Sequence, residues 1–85
     1  MHPLPWLGLR AFVEVGRRGA IKAAAPVLGV TPGAVSQQIK ALERRLGMVL
    51  FERHHRLLRL TPEGARLFAE LDESFAAIEQ SVGRR

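Results

Sequence analysis

Residues 29–47, GVTPGAVSQQIKALERRLG, carry the clearest structural signals in this chain. Thr31 and Pro32 predict a helix start, because a threonine hydroxyl accepts a hydrogen bond from an otherwise free backbone N–H, and proline has no N–H to leave unpaired. Gly47 is a typical helix stop. Between these signals an apolar residue recurs every three or four positions, at Val35, Ile39, Leu42 and Leu46. The stretch therefore predicts a helix over residues 32–46 with one buried face.

Further helices and a hairpin are predicted on both sides of this helix. Apolar spacing predicts a first helix over residues 5–17, and the alanine-rich AIKAAAPVLG predicts a short second helix over residues 23–28, with Pro26 in its first turn. The runs MVLFE and RLLRL, around RHHR, predict a small two-stranded hairpin. A second Thr-Pro pair, Thr61-Pro62, predicts a long fourth helix from about residue 62.

The predicted fourth helix carries apolar residues at alternating spacings of three and four, the rhythm of a seam between two helices. These residues are Phe68, Leu71, Phe75, Ile78 and Val82. A helix of about 21 residues is roughly 30 Å long, which is more than so small a domain covers. We therefore expect the seam to pack on a partner helix, and packing on the chain's own domain is the alternative.

Length and charge limit the classes of protein that fit. The 85 residues, 47% of them hydrophobic, suit one domain with a modest core. Residues 1–62 carry ten Lys or Arg and three Glu, net +7, whereas residues 63–85 carry three Arg and five Asp or Glu, net −2. A polyanion is the expected partner of such a basic segment. The sequence has no cysteine and no apolar run long enough to span a membrane, so we expect a soluble cytoplasmic protein.

The side chains that catalysis needs are scarce. The chain contains three His, three Ser, one Asp, no Cys and no Tyr. His54 and His55 are adjacent and stand outside any spacing typical of metal ligands, and no glycine-rich phosphate loop follows a strand. We therefore expect neither an enzyme nor a cofactor or metal site in this chain.

Polar side chains occupy the face of the predicted helix 32–46 that points away from its apolar stripe. They are Ser36, Gln37, Lys40 and Arg44, with Gly33 near the helix start. A short helix, a tight turn and a second helix crossing at a steep angle can lay the second helix in a DNA major groove. A merely solvated face is the alternative. Arg17 and Arg18, at the end of the first helix, suit either the helix dipole or a DNA contact.

The stretch AAAPVLGVTPGAVSQQIKALERRLGMVLFERHHRLLRLTPEG resembles the N-terminal winged helix-turn-helix domain of LysR-type transcriptional regulators. The matching positions are Ala24-Ala25, Leu28, Ala34-Val35-Ser36, Ile39, Leu42-Glu43, Leu46-Gly47, Leu50-Phe51, Arg53, Leu60-Thr61 and Gly64. The resemblance covers nearly the whole chain, and VTPGAVSQQIKALE leans towards the glycine-cleavage-activator-like branch. It implies a mainly α fold: residues 1–62 form three helices and a two-stranded wing, and residues 63–85 form a linker helix for dimerisation.

The resemblance also implies which residues contact DNA. They are Thr31, Pro32, Gly33, Ser36, Gln37, Lys40, Arg53 and Arg56. Thr31 matches the cap of the recognition helix, which often touches phosphate, and Ser36 and Gln37 match positions that face bases. Arg53 and Arg56 match the wing near the minor groove. The family often has Gln where Pro32 stands, so Gln37 and Lys40 are expected to carry more of the base discrimination.

The implied partner is double-stranded DNA with an interrupted inverted repeat, bound by a bacterial homodimer without enzymatic activity. Members of the family normally carry a C-terminal domain that binds a small-molecule effector, and for the full protein both a dimer and a tetramer stay open. That domain is absent here, so we expect this sequence to be a piece of a longer protein. Two other classes stay open: a helical protein-interaction module that works through the fourth helix, and a basic chain that binds RNA or membranes without sequence preference.

Overall fold

The computed structural model describes residues 3–54 and 57–83 and has the mainly helical architecture that the sequence predicts. Four helices and two strands follow one another in the order α1 (Trp6–Arg18), α2 (Ile21–Leu28), α3 (Pro32–Leu46), β1 (Phe51–His54), β2 (Leu57–Leu60) and α4 (Pro62–Gly83). The strands are antiparallel, with Phe51 opposite Leu60 and Arg53 opposite Leu58. The two strands form the wing, and the division into a DNA-binding domain over residues 1–62 and a linker over residues 63–85 stays a prediction.

Both Thr-Pro helix starts are confirmed. The Thr31 hydroxyl accepts a hydrogen bond from the Ala34 N–H at 3.1 Å, and the Thr61 hydroxyl accepts one from the Gly64 N–H at 3.0 Å. The predicted stop after α3 is confirmed as well, because Gly47 has the left-handed φ of 68° that a side chain would disfavour.

The predicted start of α2 is wrong by two residues. The helix begins at Ile21, and Pro26 lies in its second turn instead of its first. Ala20 is extended and its carbonyl accepts a hydrogen bond from the Ala24 N–H at 3.2 Å, so a complete turn forms before the proline. Pro26 lacks the N–H that would bind the Lys22 carbonyl, so the helix continues through the proline with one backbone bond fewer.

The first strand of the hairpin was predicted too early. It begins at Phe51, after most of the MVLFE run, and extends to His54. The backbone just before it is bound by side chains from elsewhere in the fold: the Glu43 carboxylate accepts a hydrogen bond from the Leu50 N–H at 2.8 Å, and the Thr61 hydroxyl donates one to the Val49 carbonyl at 2.5 Å. These bonds replace strand pairing at residues 49 and 50.

Two buried clusters hold the elements together. The first joins α1, α2 and α3 through Ala11, Val15, Ala24, Ala25, Val35 and Ile39. The second joins α1, α3, the wing and α4, and Phe12, which is fully buried, lies at its centre. The Phe12 ring meets the rings of Phe51 and Phe68 edge to face, with centroid distances of 5.4 and 6.2 Å. Helices α1 and α3 contribute to both clusters and thereby connect α2 with the wing and the start of α4.

Candidate nucleic-acid interface

Helix α3 buries one face and exposes the opposite one. Val35, Ile39 and Leu42 are buried. Gln37 follows Val35 by two positions, about 200° around the helix, and is exposed. We call five of the exposed residues of α3 the reading face: Gly33, Gln37, Lys40, Ala41 and Arg44. Ser36 is half-buried and borders the wing, as does Lys40. Gln37 therefore occupies the centre of the exposed surface, while Ser36 and Lys40 lie on its wing side.

The start of α3 combines an open backbone with free space. Pro32 has no N–H and the Ala34 N–H is bound by Thr31, so the Gly33 N–H is the group left without a partner among the described residues. A Cβ built on Gly33 would meet nothing nearer than the Thr31 hydroxyl, at 4.0 Å, and the φ of Gly33 is not positive. Nothing inside the chain requires glycine at this position.

A cleft of about 570 Å³ separates the starts of α2 and α3 from the wing. Lys22 and Arg53 bring two cations to its walls, together with Pro32, Gly33 and Ser36 of α3. Arg53 and its cross-strand neighbour Leu58 line the cleft together. Such a cleft can accommodate a phosphate oxygen between cationic side chains. Arg56, the other predicted wing contact, lies outside the described residues.

Lys22 is a candidate contact that sequence reasoning missed. Sequence reasoning gave it no role, whereas the structure places it in the lining of the same cleft as Arg53. The signal that could have found it is a cation in the first turn of the helix that precedes the recognition helix, where the backbone of DNA passes in helix-turn-helix proteins.

Glu43 attaches the wing to α3. One of its carboxylate oxygens accepts hydrogen bonds from the Leu50 N–H at 2.8 Å and the Phe51 N–H at 3.3 Å. Leu50 is fully buried, so its N–H has no access to water as a substitute partner. Sequence reasoning treated Glu43 only as a residue shared with the family. In the structure it determines where β1 begins and thereby where Arg53 lies relative to α3.

The charges divide into paired and unpaired groups. Arg18 bonds to Glu14 at 3.0 Å, and Arg17 bonds to Asp72 at 2.5 Å and to Glu79 at 3.1 Å. The hydrogen bonds that Arg17 donates to the Glu79 and Asp72 carboxylates raise the pKa of Arg17 above its ordinary value. In contrast, Lys40, Arg44 and Arg53 form no ion pair with any described carboxylate. Arg17 and Arg18 are thus paired within the chain, and a DNA contact by either residue stays untested.

The predicted seam of α4 is divided in the structure. Phe68, Leu71 and Phe75 are half-buried against the second core cluster, whereas Ile78 and Val82 are 51% and 65% exposed. The role of all five seam residues in dimerisation stays a prediction. In the part of the chain that the structure covers, no group of His, Cys, Asp and Glu could hold a metal ion, and no helix is long and apolar enough to cross a membrane.

Three mutually packed helices, α1 to α3, and a two-stranded wing define a winged helix-turn-helix domain. Residues 6–65 match the family described as bacterial regulatory helix-turn-helix protein, lysR family, and the chain belongs to that family.

Relatives of known function share much of this sequence. The HTH-type transcriptional regulator BlaA of Proteus vulgaris is 46% identical over 77 residues, which are 91% of this chain and 26% of BlaA. The glycine cleavage system transcriptional activator of Escherichia coli (strain K12) is 42% identical over 78 residues, 92% of this chain and 26% of the activator. The chain thus spans about a quarter of the length of these relatives. These identities do not single out the glycine-cleavage branch.

A solved structure has the same fold. The crystal structure of the BenM DNA-binding domain in complex with catB site 1 DNA matches this chain with a TM-score of 0.79 and 32% identity, covering 91% of this chain and 86% of that one.

Proposed function

We propose that this chain is the sequence-specific DNA-binding domain of a transcriptional regulator, with α3 in the major groove and the wing near the minor groove. The observation that carries the proposal is the convergence of unpaired cations and polar side chains on one surface, made by the reading face, Lys22 and Arg53. Phosphate pairing by such cations supplies a large share of DNA affinity. The BenM domain, which is similar in fold, was crystallised with DNA, and the relatives are named as transcriptional regulators.

Within this proposal the residues have separate roles. Gln37, at the centre of the reading face, reads a base edge, and Ser36 and Lys40 contact the bases or phosphates nearer the wing. Thr31 uses its oxygen lone pair for the Ala34 N–H, so its hydroxyl proton is free to bind a phosphate oxygen. The Gly33 N–H and the Lys22 and Arg53 side chains bind phosphate as well.

The assembly is a homodimer joined through α4, with Ile78 and Val82 as the exposed part of the contact. Two copies of α3 then enter successive major grooves of an interrupted inverted repeat, about 34 Å or a multiple of it apart. We further propose that the full protein acts in the bacterial cytoplasm and carries a second domain that binds a small-molecule effector, in a dimer or a tetramer.

Gln37→Ala is expected to relax sequence specificity. Loss of a base contact costs about 1–3 kcal/mol on the preferred site, whereas phosphate pairing and its salt dependence stay nearly unchanged. Arg53→Ala is the matched contrast: it should weaken binding to all duplexes alike and reduce the slope of log affinity against log salt by about 1. The measurement is fluorescence anisotropy on a duplex selected from a random library and on a scrambled competitor, at several salt concentrations.

The same titration separates this proposal from its alternatives. A protein-interaction module would bind neither duplex, and a nonspecific binder would bind both with equal affinity. A Gln37→Ala loss that is the same on both duplexes would contradict the assigned role of Gln37.

Gly33→Ala is expected to separate folding from DNA binding. Because the site is open and helical, alanine should leave stability unchanged or raise it by up to about 1 kcal/mol. The added methyl group stands where the helix start approaches the DNA backbone, so affinity should fall by about tenfold, or roughly 1.4 kcal/mol. Thermal unfolding and anisotropy on the selected duplex measure the two effects. Unchanged affinity would show that this helix end does not approach DNA closely.

A further inference from the structure

Arg17, near the end of α1, is bonded to two residues of α4. Its Nε donates to the Asp72 carboxylate at 2.5 Å, and one terminal nitrogen donates to both Glu79 carboxylate oxygens, at 3.1 and 3.2 Å. Its other terminal nitrogen donates to the Asp72 carbonyl at 3.4 Å. A planar guanidinium bound at several points restricts the orientation of its partners more than a single ion pair does.

These bonds extend the contact between α1 and α4, which also includes the packing of Gly16 on Phe68. Gly16 lies directly under Phe68: a Cβ at Gly16 would fall 2.5 Å from that ring. Four residues of α4 share one face of the helix, because they are four, three and four positions apart, and the contacts with Gly16 and Arg17 show that this face lies against α1. They are Phe68, Asp72, Phe75 and Glu79. Apolar packing on this face ends at Phe75, since Phe75 is the last residue of α4 packed on the core.

The outer part of α4 is therefore attached by charge. Beyond Phe75 the large apolar residues Ile78 and Val82 are exposed, and the Arg17–Glu79 bond is the polar link between that part of the helix and the rest of the described chain. Arg18, the next residue of α1, makes no such link, because it bonds to Glu14 within its own helix.

We propose that Arg17 is a positioning residue that fixes the direction of α4 on the DNA-binding unit and thereby the spacing of the two half-sites. This rests on the proposed function, since α4 would join the two copies. Direction matters because the helix is long: a tilt of about 10° moves the end of a helix about 30 Å in length by roughly 5 Å. The rise of one base pair is smaller, about 3.4 Å.

The first test measures the helix direction without DNA. Spin labels at the exposed Ala23 and Ser81 report the distance between α2 and the outer part of α4, in labelled chain diluted with unlabelled chain. Arg17→Ala and the milder Glu79→Gln should broaden the distance distribution and move its mean by about 3–5 Å. Arg18→Ala, which removes the same charge one residue away, should match the unmodified chain. Unchanged distributions in both variants would overturn the proposal.

The second test measures half-site spacing. Selected duplexes with the spacer lengthened or shortened by one and two base pairs are titrated with each variant. The unmodified chain and Arg18→Ala should prefer one spacer, and the preference should fall by about three- to tenfold in Arg17→Ala and Glu79→Gln, with affinity for a single half-site retained. An unchanged preference would refute the spacing role. If the unmodified chain bound no duplex, the proposed function and the spacing role would fail together, while the distance measurement would still decide whether Arg17 fixes α4.

Discussion

Gly64→Ala is expected to lower the free energy of unfolding by about 3 kcal/mol, at the upper end of the usual cost of overpacking. A Cβ on Gly64 would lie 2.1 Å from the Leu50 carbonyl oxygen and 2.9 Å from its carbon. These are backbone atoms, and the same carbonyl accepts a hydrogen bond from the Thr61 N–H at 3.0 Å, so it cannot move away without loss of that bond. Urea denaturation followed by circular dichroism measures the change.

Gly83→Ala is the matched control for this substitution. Gly83 belongs to the same helix, and nothing lies within 4 Å of the Cβ that alanine would add. Its denaturation midpoint should stay close to that of the unmodified chain. If the two alanine variants had equal midpoints, the close approach of α4 to Leu50 would not be a feature of the protein in solution.

Phe12→Ala is expected to cost about 3–5 kcal/mol, the range for removal of a buried aromatic ring. The total stability of a chain of this length is roughly 4–13 kcal/mol, so the loss is a large fraction of the free energy of unfolding. The loss is large because Phe12 is fully buried and its ring packs on both Phe51 of the wing and Phe68 of α4. The wing and the linker helix should therefore lose their fixed positions together.

Phe12→Leu tests this explanation. Leucine keeps an apolar side chain in the site and leaves a smaller cavity, so its denaturation midpoint should lie between those of the alanine variant and the unmodified chain. A loss below about 1 kcal/mol in Phe12→Ala would show that the aromatic cluster is not the centre of the core.

Local signals in the sequence were sufficient for most element boundaries. Thr31 and Thr61 cap their helices through atoms three residues away, and Gly47 ends α3 through its own φ. Such interactions lie within a few residues of the signal, so the sequence displays both partners at once. The mainly helical fold with its wing was predictable for this reason and because the family resemblance extends over the same elements.

One error lies where separate parts of the chain meet, and the other is local. The start of β1 depends on Glu43, which binds the Leu50 N–H from seven residues away, and on Thr61, which binds Val49. The start of α2 was misjudged because a local rule about Pro26 was given more weight than the turn that Ala20 begins. The hydrogen bonds of Glu43 and Thr61 leave no periodic pattern in the sequence that could reveal them.

The candidate site shows the same division. The polar residues of α3 were found from helical spacing, because a single helix arranges them. The position of Lys22 in the same cleft as Arg53 requires the packing of α2 against the wing, and the bonds of Arg17 join residues 55 and 62 positions apart. Neither could be inferred from composition or spacing, since tertiary packing alone brings these side chains together.

The Thr61 hydroxyl takes part in two bonds at once: it donates to the Val49 carbonyl and accepts from the Gly64 N–H. One oxygen atom thus belongs both to the base of the wing and to the first turn of α4. The hairpin and α4 are therefore joined through this side chain as well as through the backbone. If two such domains bind DNA of different curvature, we expect the change in angle between them to arise beyond the first turn of α4.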